Sequence, residues 1–206
     1  MTGAEQADPE QAATTAPEPI VFRWRIHEGR ITLRRRHLRS LEPLGLPEPL
    51  MGWIHERLEW AVDNMLASDS EGVLVLNVDP VREVKVSLEE LRETPALGSE
   101  SLLVKEGLIT GIGFEGETLA GTVWLEYDGR LHASCEKLVS ATETLARDLA
   151  DTLGIPLIIQ PQPIEVAENS TTFLISDEFG LVLIGDHPED TAPATTKLQE
   201  CFLKLW

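Results

Sequence analysis

The apolar residues of this chain arrive in short packets opened by glycine. The longest, Gly72–Asn77, Gly154–Ile159 and Gly180–Gly185, are each the size of one buried strand and far short of the roughly 20 residues that cross a bilayer as a helix. Such a chain must bury its apolar surface by pairing several short strands and covering them with helices. At 206 residues, one large core or two small ones are within reach.

Periodicity places the elements. Val21–Ile26 alternates, His27-Glu28-Gly29-Arg30 reads as a turn and Ile31–Leu33 returns, which predicts a hairpin. Leu50, Met51, Trp53, Ile54, Leu58, Ala61, Val62 and Met65 recur at helical spacing. Val73–Val78 is a strand. Val84 and Val86 flank Lys85 in alternation, with Ser87 placed to cap a short helix through Leu91. Leu102–Val104, Leu108–Ile112 and Thr118–Tyr127 read as strands, with Asp128-Gly129 a hairpin turn. A helix is expected from Cys135 or Glu136 to Leu153, stopped by Gly154 and Pro156. Strand Ile155–Ile159, a helical turn at Ile164–Ala167, strands Thr172–Ser176 and Gly180–Ile184, and a closing helix Thr195–Trp206 complete an α+β pattern with a mixed or antiparallel sheet. Met1–Pro19, with acids, prolines and no base, is expected to be a disordered tail, and it lacks the apolar stretch of a signal peptide.

Charge narrows the function classes. Seventeen Lys and Arg against 35 Asp and Glu leave −18, which argues against a protein held to nucleic acid or to anionic lipid. The cations are nevertheless concentrated: Arg23, Arg25, Arg30, Arg34, Arg35, Arg36 and Arg39 face only Glu28 within residues 21–40. That segment is either a solvated face balanced by acids elsewhere or a surface turned to an anionic ligand or an acidic partner. Two cysteines, Cys135 and Cys201, build neither a disulfide framework nor a zinc site, as expected of a cytoplasmic protein. His27, His55 and His187 have no metal-ligand spacing. Gly111-Ile112-Gly113 is too little for a dinucleotide site. His132, Ser134 and Cys135 cluster, but neighbours on one hairpin rarely converge as nucleophile and base.

The order of several segments resembles the class IV aminotransferases, the fold-type IV pyridoxal-phosphate (PLP) family that includes branched-chain and D-amino-acid aminotransferases and aminodeoxychorismate lyase. Arg36-His37-Leu38-Arg39-Ser40-Leu41 is similar to its H-L-x-R-L element, and Glu117 through Trp124 sits at the spacing of its E-x-x-x-S-N-I-F. Ser140-Ala141-Thr142-Glu143 lies where G-I-T-R opens a helix, and Leu149-Ala150 through Leu153-Gly154-Ile155-Pro156 resembles that helix's ending. Phe173 through Gly180 resembles the F-L-T-S-S strand, and Thr196-Lys197-Leu198 through Phe202 the closing helix. The resemblance covers residues 20–66 and 98–206. It implies a reduced N-terminal α/β subdomain over residues 20–97 and a C-terminal mixed or antiparallel sheet with packed helices over 98–206.

It also implies a site. A PLP enzyme needs a Schiff-base lysine, an acid on the pyridine nitrogen and donors for a phosphate dianion. Glu117 matches the family's acid; Lys85, 32 residues earlier, is the better positional lysine and Lys105, in a turn, the poorer. Arg36, Arg39, Thr122 and Thr142 stand at or beside cofactor-binding positions. The phosphate positions have changed: Ser40 replaces the arginine of H-L-x-R-L, Asp177 replaces a hydroxyl on the late strand and Glu143 replaces the arginine of G-I-T-R. A buried carboxylate beside a phosphate costs several kcal/mol unless neutralised. Family members run well beyond 206 residues, so the resemblance describes a shortened relative.

Two functions are therefore expected to compete. In the first the chain has lost PLP chemistry, needs no cofactor and no metal, and acts as a binding partner or takes another small molecule in the old cleft. The family's sites lie near a dimer interface, which implies a homodimer or a heterodimer with a related protein. In the second it is a minimal PLP-dependent aminotransferase or lyase acting on an amino acid through Lys85 and Glu117.

Overall fold

The structure is a computed structural model, and it describes residues 19–79, 83–185 and 191–204. The tail expected over Met1–Pro19 lies, except for Pro19, outside them, as do His187 and the last residues of the closing helix.

The first sheet is antiparallel with order β2-β1-β3-β4. Its strands are β1 (Ile20–His27), β2 (Arg30–Ile31), β3 (Gly72–Val78) and β4 (Val84–Glu89). Glu28 and Gly29 both take positive φ, 48° and 67°, as a tight hairpin turn requires. Trp24 lies opposite Leu74 and Phe22 opposite Leu76, so the even-numbered residues share a face. That face is covered by helices α1 (Arg34–Leu41) and α2 (Glu48–Met65), whose Leu41, Leu50, Ile54, Leu58 and Ala61 close a core with Trp24, Ile26, Leu74, Leu76 and Val78.

The second sheet has order β10-β9-β8-β11-β12 and is antiparallel except for β9 with β10. It comprises β8 (Thr122–Tyr127), β9 (Arg130–Ala133), β10 (Leu157–Ile159), β11 (Thr171–Ser176) and β12 (Gly180–Ile184). A third sheet pairs β5 (Leu102–Lys105), β6 (Leu108–Phe114) and β7 (Glu117–Leu119). Alternation sorts the second sheet onto two cores. Trp124, Phe173 and Ile175 pack against α3 (Ala141–Thr152) and α5 (Pro193–Leu203). Val123, Leu125 and Leu174 pack with Ile109, Ile112 and Leu119 of the third sheet, backed by the short α4 (Ile164–Ala167). The sheet is thus buried on both faces, and its strands read as near-continuous apolar runs.

Three expectations are corrected. The segment at Ser87 is strand, not helix: β4 pairs with β3 from Val84 to Glu89 and turns Val86 and Leu88 to the core. The strand expected over Thr118–Tyr127 is broken at Ala120-Gly121. Gly121 has φ 145°, and a Cβ there would lie 2.4 Å from the carbonyl oxygen of Ile175, so only glycine fits this close approach. The helix expected from Cys135 or Glu136 starts at Ala141, because Ser140 caps it.

Candidate functional site

Ser140 and Glu143 form a capping box at the start of α3. The Glu143 N–H donates to Ser140 Oγ at 3.1 Å, and the Glu143 carboxylate accepts the N–H of Ser140 at 2.9 Å and of Val139 at 2.8 Å. The same carboxylate takes the hydroxyl of Thr122. One more N–H of the first turn, that of Thr142, donates at 2.8 Å to Oδ1 of Asp177, at the turn joining β11 to β12. A helix N-terminus is a standing anion site, because unpaired N–H groups point outward and the helix dipole is positive there. Here two carboxylates of the chain itself hold that position.

Asp177 is 17% exposed and has further contacts. His37 on α1 is fully buried, its Nδ1 3.5 Å from Asp177 Oδ2, and its ring stacks on Trp24 at 4.6 Å between centroids. The backbone oxygen of Asp177 accepts the N–H of Arg25 on β1 at 3.3 Å. Burial pushes the Asp177 carboxyl up, but the His37 ring and the Thr142 donors outweigh it and hold it below the ordinary value. One turn residue thereby ties β1, α1 and α3 together.

The next residue makes a second bridge. Glu178, 3% exposed, takes Arg23 Nε at 2.6 Å and Arg92 Nε and Nη2 at 2.9 Å. Burial again raises this carboxyl, and the two guanidinium groups lower it further than burial raises it. Arg92 lies over the Phe179 ring and touches Glu117 at 3.4 Å. A buried carboxylate clamped between two guanidiniums is a strong charge-assisted arrangement.

The residues singled out in the sequence divide into two groups. Thr122, Thr142 and Asp177 converge at the head of α3, joined by Glu143. Lys85 and Glu117 lie elsewhere, whereas Arg36 and Arg39 line a cavity with Leu138, Val139 and Thr144 beside the start of α3. Lys85 is 68% exposed on the outer strand β4 with Nζ 2.6 Å from Glu83. Glu117 is 72% exposed and reaches only the outer side of Arg92. Arg36 pairs with Asp148 on α3 at 2.9 Å, and Arg39 Nε donates to the carbonyl of Arg35. Lys105 sits at the β5 end, exposed. His37, Arg23, Arg92 and Glu178 were not singled out as a group. Glu178 lies 155 positions from Arg23 and 86 from Arg92, and the one signal is the acidic pair Asp177-Glu178 at an otherwise apolar hairpin.

The His132, Ser134 and Cys135 cluster does not converge. Ser134 Oγ donates to the Ile109 carbonyl and accepts the Gln162 N–H. Burial lowers His132 and pushes the Cys135 thiol up, the reverse of an activated pair. Among the described residues no His, Cys, Asp and Glu group could hold a metal ion, and no helix is long and apolar enough to cross a membrane. A cavity of about 670 Å³ lies at the other end of the β11–β12 hairpin from Asp177, beside Ser99, Ile164, Thr172 and Ile184.

No family model matches the chain, and no curated protein does. Solved structures do, over nearly their whole length. The 4-amino-4-deoxychorismate lyase of Pseudomonas aeruginosa superposes with a TM-score of 0.68 at 15% identity, over 98% of this chain and 96% of that one. The fold is that of the class IV aminotransferases and aminodeoxychorismate lyases. A hypothetical aminotransferase from Mycobacterium tuberculosis in its PLP-bound form gives 0.67 at 14% identity, over 100% of this chain and 94% of that one. One from Brucella abortus bound to PLP gives 0.65 at 14%, over 98% and 94%. The likeness includes residues 67–97, which the sequence motifs had left out.

Proposed function

We propose that this chain keeps the class IV aminotransferase-like fold without its cofactor chemistry and works as a cytoplasmic binding partner. Residues 20–97 form a reduced N-terminal subdomain and residues 98–206 the C-terminal one. The observation that carries the proposal is the bond from the Thr142 N–H to Asp177. By the resemblance, Thr142 and the position of Asp177 are phosphate ligands. A phosphate dianion there would meet Asp177 in place of a free N–H, with the Glu143 carboxylate one residue beyond Thr142.

The residues present do not fit PLP in two further respects. Lys85 is exposed and paired with Glu83, and Glu117 stands in solvent at the β7 end; neither reaches the head of α3 through any contact the described residues make. Cys135 and Cys201 are both free thiols, which supports a reducing compartment.

The test is spectroscopic. The purified protein, incubated with PLP and then desalted, is expected to remain colourless and to show no rise in melting temperature with added cofactor. A band near roughly 410–430 nm, the range of a protonated lysine imine of the cofactor, that disappears on borohydride reduction would overturn the proposal and favour the minimal-enzyme reading.

A further inference from the structure

We propose that the cavity at the far end of the β11–β12 hairpin binds a small amine: a ligand with an apolar body, an ammonium group and no carboxylate. The inference goes beyond the binding-partner reading and does not rest on it. The cavity and the head of α3 lie at opposite ends of the hairpin and share no residue.

Two layers frame the cavity. The end of β12 and the start of β11 form one; the segment 99–102, leading into β5, and α4 with the residues after it form the other. A single backbone bridge joins the segment before Ser99 to β12: Leu97 lies beside Ile184, and the Gly185 N–H donates to the Leu97 carbonyl at 2.8 Å. The space beside that bridge is about 670 Å³, within the roughly 300–1,000 Å³ of small-molecule sites.

Leu102, Ile164, Ala167 and Ile184 supply its apolar wall, and all four belong to the core between the second and third sheets. The wall is therefore preformed, and an apolar ligand body extends that core. The hydroxyls beside it have a fixed polarity. Ser170 Oγ donates to the Ala167 carbonyl at 3.3 Å, which leaves Thr172 to donate across the 3.3 Å between the two hydroxyls. Both protons are used within the chain, so what this pair has left for a ligand is lone pairs.

Glu100 and Glu168 line the same cavity, and no Lys, Arg or His does. The carboxylates of Glu126, Glu143, Asp177 and Glu178 are each met by donors of the chain itself. Glu100 and Glu168 have no such partner among the described residues. Gly98 helps to seat the first of them. Its φ of −92° and ψ of 173° suit any residue, yet a Cβ there would collide with the Glu100 carboxylate. The missing side chain makes room for that carboxylate rather than for a turn. An anion in the cavity, the carboxylate of an amino acid included, would meet two negative charges and no positive one. An ammonium group carries three donors and no acceptor, the complement of what the lining offers.

The experiment is isothermal titration calorimetry of the full chain with three ligands that share one indole body: tryptamine, tryptophol and indoleacetate. Tryptamine is expected to bind with a Kd of about 1 mM or below, tryptophol about tenfold more weakly, and indoleacetate not at all up to about 10 mM. E100Q and E168Q each remove one charge while keeping the side chain's length, and each should weaken tryptamine about three- to tenfold and leave tryptophol unchanged. G98A keeps both carboxylates but displaces that of Glu100, and should weaken tryptamine in the same direction. E56Q removes the same unit of charge from α2, outside the cavity, and should change nothing. Tryptamine that fails to bind, or binds no better than tryptophol, overturns the proposal. So does a loss from E56Q equal to those from E100Q and E168Q, which would mean attraction to the acidic chain at large.

Discussion

Replacing Asp177 by alanine removes the acceptor for the Thr142 N–H and the carboxylate beside the His37 ring in one step. Thr142 is fully buried, so its N–H gains no water in exchange. A hydrogen bond to a charged group contributes about 1.5–3 kcal/mol, and a carboxylate at a helix N-terminus adds about 0.3–1 kcal/mol. Against this stands the cost of burying the carboxylate, which the mutation relieves. The net expectation is a loss of about 2 kcal/mol, or about 4–8 °C in Tm for a chain of this size. Asp177→Asn keeps a neutral acceptor and should lose about half as much.

The pH dependence distinguishes a charge effect from lost packing. The folded-state carboxyl of Asp177 lies below its unfolded value, so its contribution is present above the unfolded value, about 3.9. It is lost as pH falls through the folded one. The Tm gap between wild type and Asp177→Ala should therefore stay constant from neutral pH to about pH 5 and close below about pH 4. Calorimetry over that range measures it. An alanine variant as stable as wild type at neutral pH would mean that burial of Asp177 costs what its bonds return, and a gap undiminished in acid would rule out its charge as the cause.

Glu178→Ala leaves Arg23 to Glu89 and Arg92 to Glu117, both exposed, and should cost about 1.5–3 kcal/mol in urea unfolding; Glu178→Gln should cost less, and a loss below about 1 kcal/mol would refute the bridge. The Cys135 thiol, raised by burial, should be alkylated more slowly at pH 8 than an unfolded thiol and regain the free rate in urea; equal rates in native buffer would contradict its placement.

The strands and the two long helices were legible because their signals are local. α2 shows as helical spacing from Leu50 to Met65, and the β8–β9 turn as Asp128-Gly129, both found in place. α1 was missed as an element: of RRRHLRSL only His37 and Leu41 are buried, too few to make an apolar stripe. β4 was misread at Ser87 because a capping residue and an alternating strand look alike until β3 is known to lie beside it. The site was legible in part. The motif order picked out Thr122, Thr142 and Asp177, yet nothing local reveals that Asp177 points at Thr142 or that Glu178 meets Arg23, since the first contact joins a helix to a hairpin turn 35 positions on and the second joins one sheet to the other.

The acidic residues of this region have a common use. Glu143 is held by Thr122, Val139 and Ser140, Asp177 by Thr142 and His37, and Glu178 by Arg23 and Arg92. Glu126 repeats the arrangement at the other packed helix, accepting the N–H groups of Ala194 and Thr195 at the head of α5. In each case a carboxylate rooted in the chain satisfies donors that would otherwise face a diffusible anion or go unpaired. A bound phosphate at the head of α3 would tie the late hairpin to the helix only while it is present. Asp177 ties them at all times, and through His37 and the Arg25 N–H it reaches β1 and α1 as well. On the cofactor-free reading, the substitution that closes the phosphate site also replaces the bridging anion with a permanent one, and this is how the fold can dispense with its cofactor without losing the contact between its first sheet and its second.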